Sequence, residues 1–256
     1  MRVCGARRVT IVEQVGYGRV VFRRRDPRQA RFVTLENLRW VVRHRAWTPS
    51  YLIRYARLLR LRLLHPEVVT EGMVFLGRGA KVVGRRGYGR VILGRWVHVG
   101  DGTQVRAHEG TLRVGDKTVF GRHDTVICYL DVEIGGRTLV ADWVYIADFD
   151  HRFDDLEVPI KDQGIVKSPV RIGPDSWLGV KSTVLRGSMI GHGCVIGANS
   201  VVRGTLPDRA VAAGIPARVI KSRRPGDHVP GVGGSRAGTR WRRLVIATKR
   251  ASRVFF

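Results

Sequence analysis

The chain has 256 residues, with 46 Lys and Arg against 21 Asp and Glu, a formal net charge of +25 and a pI near 11.4. This surplus calls for an anionic partner or surface: a nucleotide-like cofactor, an anionic membrane or a nucleic acid. No run approaches the roughly 20 apolar residues of a membrane span, and no signal peptide is visible after Met1. Cys4, Cys128 and Cys194 are scattered with no CxxC. Cys128 and Cys194 read as small buried hydrophobes in a reducing compartment.

Taken in order, VTIV (9–12) and GRVVF (18–22) are expected to pair as a small hairpin. Two helices follow. Thr34 with Asn37 starts the first, which places Leu35, Leu38, Val41 and Val42 on one face. Pro49 starts the second, which stops before His65-Pro66. Its Leu52, Ile53, Ala56, Leu59 and Leu63 recur at helical spacing, and Arg54, Arg57, Arg60 and Arg62 cover the rest. One reading makes this pair a core cap, apolar face inward and arginines solvated. The other docks the basic amphipathic helix on an anionic bilayer. Residues 1–70 hold sixteen Arg and four acidic residues, so the basic surplus is concentrated here.

From about Val74 a period of six takes over. LGRWVH, VGDGTQ and VRAHEG (93–110) are in phase, then VGDKTV, FGRHDT and VICYLD (114–131), then IGGRTL, VADWVY and IADFDH (134–151). The strongest run is 172–207, where Ile172, Leu178, Val184, Ile190, Ile196 and Val202 form one column and Ser176, Ser182, Ser188, Cys194 and Ser200 another. This period indicates a solenoid of short rungs. Each six is one strand plus a corner, three make a triangular coil, and coils stack about 4.8 Å apart. The column after the aliphatic one is mostly Gly, expected to serve the corner's backbone geometry. Slips at 111–113 and 132–133 are expected to be corner insertions, giving about six coils. Between His151 and Val170 the register is lost, so 152–169 reads as a loop thrown out at a corner, the kind of long loop that carries function. DRAVAAGIPARVIKS closes the solenoid, turning at Gly214 and Pro216. The expected division is a basic helical segment (1–72), a β-solenoid (73–221) and a basic, disordered tail (222–256) that could touch membrane.

DFDH with its loop, IGPDSWLG and SVVRGTLPDRAVAAGIPARVIK resemble the hexapeptide-repeat acyltransferases, within them the sugar O-acetyltransferases that include the galactoside, maltose and polysaccharide-modifying enzymes. The resemblance covers roughly 93–221. It implies an all-β fold, a left-handed parallel β-helix with an N-terminal helical cap. It also implies a cytoplasmic homotrimer that moves an acyl group from acetyl-CoA, or another acyl-CoA, to a hydroxyl of a sugar, polysaccharide or glycolipid, without a metal. An acceptor at the membrane's inner face would suit the basic helices and tail.

Acyl transfer from a thioester to an alcohol needs a base, and imidazole is suited to that proton at neutral pH. His151 closes the IADFDH rung where the loop departs, the position of the family's catalytic His. Asp148 and Asp150 flank it as candidates to orient the ring or bind acceptor; Asp154 and Asp155 are weaker ones. Tyr129 stands where galactoside-using relatives carry an acidic acceptor contact. By the same resemblance Trp177 lies beside the thioester, Gly179 and Val180 offer an amide to the oxyanion, and Gly197 and Ala198 lie along pantetheine. Arg203 follows them, and Arg218 and Lys221 match a basic pair near the adenosine 3′-phosphate. Two other classes stay open. One is a scaffold that has lost catalysis. The other is a γ-carbonic-anhydrase-like enzyme using His98, His108 and His123, which lack that family's close pair. A nucleic-acid role rests on charge alone and is not expected.

Overall fold

The computed structural model describes residues 26–31 and 33–224; the hairpin expected at 9–22 and the tail beyond 224 lie outside them. The chain coils around three parallel faces. The first holds Val68–Thr70, Gly89–Leu93, Gly110–Val114, Asp131–Ile134, Val170–Ile172, Met189–Ile190 and Thr205–Leu206. The second runs from Val74–Leu76 through Val97–Val99, Val119–Phe120, Leu139–Val140, Trp177–Leu178 and Val195–Ile196 to Ala210–Gly214. The third runs from Lys81–Gly84 through Gln104–Ala107, Thr125–Cys128, Tyr145–Ala147 and Thr183–Val184 to Val201–Val202, six strands for six coils. The parallel winding begins at Val68, pairing with Val91, a few residues before the expected start. The closing hairpin forms as expected: Ala217–Ser222 folds back antiparallel on Ala210–Gly214.

The aliphatic column fills the axis. Leu93, Val99, Val105, Val126, Ile146, Ile172, Leu178, Val184, Ile196 and Val202 are all buried. The fifth-place column is buried as well, and some of its hydroxyls bond corner carbonyls: Ser176 Oγ donates to Gly173 O at 2.9 Å and Thr138 Oγ1 to Gly135 O at 2.8 Å, whereas Ser182 Oγ has no partner among the described residues. Cys128 and Cys194 are buried free thiols, and burial pushes both pKa values up.

The second-place glycines serve a different purpose from the one expected. Gly173 and Gly179 have no positive φ; the left-handed residue is the fourth of the rung, including Asp175 (57°), Lys181 (55°) and Asn199 (55°). Its strain is held by the neighbouring coil, since Asp175 N donates to Gly136 O (3.0 Å) and Lys181 N to Asp142 O (3.0 Å). Glycine is needed for close stacking: a Cβ on Gly173 would lie 2.5 Å from the Gly191 carbonyl carbon, and one on Gly179 2.6 Å from Ala198 N. The slips also differ from expectation. They fall in first-face strands, Gly110–Val114 and Asp131–Ile134, so Val91, Leu112, Val132 and Val170 form a second buried column.

Helix α1 (Leu35–Arg43) is capped by Thr34, whose side chain accepts from Asn37 N at 3.1 Å, and α2 spans Pro49–Leu64. Their orientation corrects the core-cap reading. Leu35, Leu38, Val42, Leu52, Ile53, Leu59 and Leu63 are exposed. Trp40, Val41, Tyr51, Tyr55, Leu58 and Leu61 pack on the prism instead. The reason is the open end of the first coil, whose carbonyls have no further coil beneath them among the described residues. Arg57 Nη1 donates to Leu76 O (3.0 Å), and Arg62 donates to Gly72 O (3.0 Å) and Thr70 Oγ1 (2.8 Å). Satisfying this edge turns two arginines inward and the aliphatic stripe outward.

Candidate active site

The corner between the third and first faces carries His151, the candidate base. Asp148 is buried, and its carboxylate accepts from Tyr129 N (2.8 Å), Leu130 N (2.7 Å) and Asp131 N (2.8 Å). It therefore holds the corner one coil earlier, and its oxygens are occupied by backbone. Beyond it Phe149–His151 leaves the prism and pairs antiparallel with Ile165–Lys167, His151 opposite Ile165. The chain returns at Ser168, whose N donates to Asp148 O at 2.8 Å. His151 is exposed at the root of this hairpin.

Around His151 the structure assembles a ladder of rings. Phe149 meets His151 edge-on (centroids 6.0 Å), Tyr129 packs on Phe149 (4.5 Å), and His108 stacks on Tyr129 (4.9 Å, 10° between planes). The Tyr129 ring also faces Lys167 Nζ at 5.8 Å, and Lys167 is ion-paired to Glu109. Asp150 is held from the next coil by Arg186, with Nε 2.6 Å from Oδ2. Arg203 follows the third-face strand Val201–Val202, on the corner above Arg186. The sequence reading missed Phe149 as a ring contact, and missed Glu109, Lys167 and Arg186. Glu109 and Lys167 are 58 residues apart and carry no local signal. Arg186 had one, since stacking the six-residue rungs places its corner over 148–151.

The expected donor residues lie elsewhere. Trp177 is exposed on the second face, opposite Leu139 and Val195. Gly179-Val180 and Gly197-Ala198 form successive layers of the corner between the second and third faces, bonded through Gly179 N to Ile196 O (2.8 Å) and Asn199 N to Val180 O (2.9 Å). Arg218 and Lys221 are exposed on the last strand of the second face. Trp177, Val180 and Ala198 thus share one edge region, while His151, Tyr129, Asp150 and Arg203 share another, across the third face.

The third-place amide of the rung at Val180 is open. At several corners the third-place N–H is taken by an Asp in the coil above: Arg78 N donates to Asp101 (2.7 Å), Arg95 N to Asp116 (2.7 Å), Arg122 N to Asp142 (2.8 Å) and His192 N to Asp208 (2.8 Å). Above Val180 the corresponding residue is Ala198, and among the described residues the Val180 amide donates to no acceptor, a state it shares with the third-place amides of Asp101, Asp116, Asp142 and Ala198. An unclaimed amide at a tight corner can receive an oxyanion.

The three histidines of the metal alternative are separated. His98 packs on Phe75 (4.5 Å), His108 on Tyr129, and His123 on Trp143 (4.5 Å). Burial, then Arg54, depresses His98 to about 4.

Residues 169–204 match the family model "Bacterial transferase hexapeptide (six repeats)". Over 202 residues, 79% of this chain and 67% of the relative, the sequence is 58% identical to the "Probable acetyltransferase Rv3034c" of Mycobacterium tuberculosis. It is 34% identical over 98 residues to the galactoside O-acetyltransferase of Escherichia coli, covering 38% of this chain and 47% of that protein. In fold it is similar to a variant of AntD, an N-acyltransferase from Bacillus cereus solved with dTDP-4-amino-4,6-dideoxyglucose and coenzyme A (TM-score 0.56, 17% identity, 65% of this chain and 89% of that one). The six-residue period, the three-faced coil and an identity of 58% across two thirds of one relative lead to one conclusion: the chain belongs to the hexapeptide-repeat acyltransferase superfamily, the enzymes of the left-handed parallel β-helix.

Proposed function

We propose that the protein transfers an acyl group, acetyl first among candidates, from acyl-coenzyme A to a hydroxyl of a sugar-containing acceptor, with His151 as general base. The observation that carries this reading is His151's exposed place at the root of the 149–167 hairpin, beside the ring ladder and the Asp150–Arg186 pair. His151 takes the hydroxyl proton, the oxygen attacks the thioester carbonyl, the Val180 amide steadies the tetrahedral oxyanion, and His151 returns the proton to the departing sulfur. Trp177, Gly179, Gly197 and Ala198 line the donor's path, Arg203, Arg218 and Lys221 offer charge to its phosphates, and Tyr129 and Asp150 face the acceptor. Asp148, with its oxygens on backbone amides, acts as the corner's support rather than as a contact to acceptor.

The separation of base and donor corners supports a homotrimer, in which the base edge of one prism faces the donor edge of the next. The exposed apolar residues Val119, Leu139 and Trp177 on the second face, and Leu156 in the loop, support the same assembly.

The test measures thiol release from acetyl- and longer acyl-coenzyme A against sugars, nucleotide sugars, glycolipids and amines. We expect a hydroxyl acceptor, and a loss of about 10²–10⁴-fold in His151→Ala. Transfer that persists in His151→Ala removes the base assignment; acylation of amines alone removes the hydroxyl assignment.

A further inference from the structure

The helical cap presents an apolar face that the prism does not use. Leu35, Leu38 and Val42 of α1 and Leu52, Ile53, Leu59 and Leu63 of α2 are between 48% (Leu59) and 72% (Leu63) exposed. The opposite faces of both helices pack on the first coil, so this aliphatic surface looks away from the prism. Arg39, Arg43, Arg45 and Arg60 are exposed around it and make no ion pair among the described residues. Within the two helices the acidic residue is Glu36 alone.

We infer that this face docks on an anionic lipid bilayer. The choice of occupant follows from charge. A second copy of the cap would bring arginines against arginines. The chain's own ends are like-charged too: 1–25 holds seven Arg and one Glu, and 225–256 six Arg, one Lys and one Asp. A nucleic acid would satisfy the charge but give the leucines nothing to enter. An anionic membrane supplies both, apolar residues entering the headgroup boundary and arginines meeting the lipid phosphates. No helix among the described residues is long and apolar enough to cross a membrane; docking in the interface plane needs no crossing. The inference does not depend on the acyl-transfer reading. If that reading also holds, cyclic threefold symmetry places three caps at one end, so binding is multivalent.

The experiment is flotation of the full chain with phosphatidylcholine vesicles, with and without about a third phosphatidylglycerol. The parent floats with the anionic vesicles at low salt and stays behind with neutral ones. The triple variant Leu52→Ser, Leu59→Ser, Leu63→Ser keeps every charge, and it loses roughly tenfold or more of the bound fraction. A second variant, Arg39→Gln, Arg43→Gln, Arg60→Gln, loses binding through charge, and both keep the parent's circular dichroism and oligomeric mass. The inference is overturned if the parent does not float. It is equally overturned if the leucine variant floats like the parent, because charge alone then explains the contact, or if that variant changes oligomeric mass, because the face then joins copies of the chain.

Discussion

Asp124 occupies the fifth place of its rung, where Thr103, Thr118, Thr138, Ser176 and Ser182 stand in other rungs. It is buried, its Oδ1 accepts from Val144 N at 2.8 Å, and its Oδ2 has no partner among the described residues. Burial raises its pKa to about 7 from an ordinary 3.8. As pH rises between these values the unfolded chain gives up its proton while the fold keeps it, so stability falls, and above about 7 the loss is complete. His98 works in the opposite direction, losing stability as pH falls from 6.5 toward 4. Asp124→Asn, compared with the parent at each pH, isolates the first effect. It should stabilise by roughly 2 kcal/mol at pH 8 and by little at about pH 4. Chemical denaturation at the two pH values checks this, and an equal shift at both would exclude titration as the cause. A second residue-scale prediction concerns Ala198. Restoring the carboxylate that other corners carry, by Ala198→Asp, should claim the Val180 amide. We expect a fall of about 10²-fold in kcat with the melting temperature retained. Undiminished turnover would remove Val180 from the oxyanion role.

At the scale of elements, the 149–167 hairpin is fastened at its root by the Glu109–Lys167 pair and by Arg186 on Asp150. Reversing one charge, in Glu109→Lys, should loosen the root, misplace His151 and lower kcat by about tenfold, more than it changes the KM for acyl-CoA. The double variant Glu109→Lys, Lys167→Glu should recover most of that loss, as measured by steady-state kinetics. No recovery would mean that the pair does not act through its mutual attraction. The helices illustrate what sequence could and could not tell. Helical period located α1 and α2 and the Thr34 cap, because those are local properties. Which face of α2 is buried depended on the unpaired carbonyls of Gly72 and Leu76, and those exist only once the first coil is wound. The period therefore identified an apolar stripe but not its direction.

For the whole molecule, legibility follows repetition. The inward column from Leu93 to Val202 could be read directly, because each rung meets the same environment and reuses the same residue types. The candidate site departs from the repeat, and the sequence points to it mainly where the repeat is interrupted. His151 stood out at the register break, whereas Glu109 and Lys167 meet only through stacked coils. The long first-face strands were misplaced for a related reason: a second inward residue such as Leu112 breaks the six-residue count without leaving the sheet.

The return of the chain at Asp148 and Ser168 has an evolutionary consequence. The two ends of the excursion are joined by one hydrogen bond of 2.8 Å, and the coil resumes in register, with Val132 opposite Val170. Beyond the paired stems Phe149–His151 and Ile165–Lys167, the segment 152–164 can lengthen, shorten or be replaced at a closure cost that grows only slowly with length. The prism is then a fixed chassis, and the segment a cassette that descendants of one ancestor could exchange without refolding the rest.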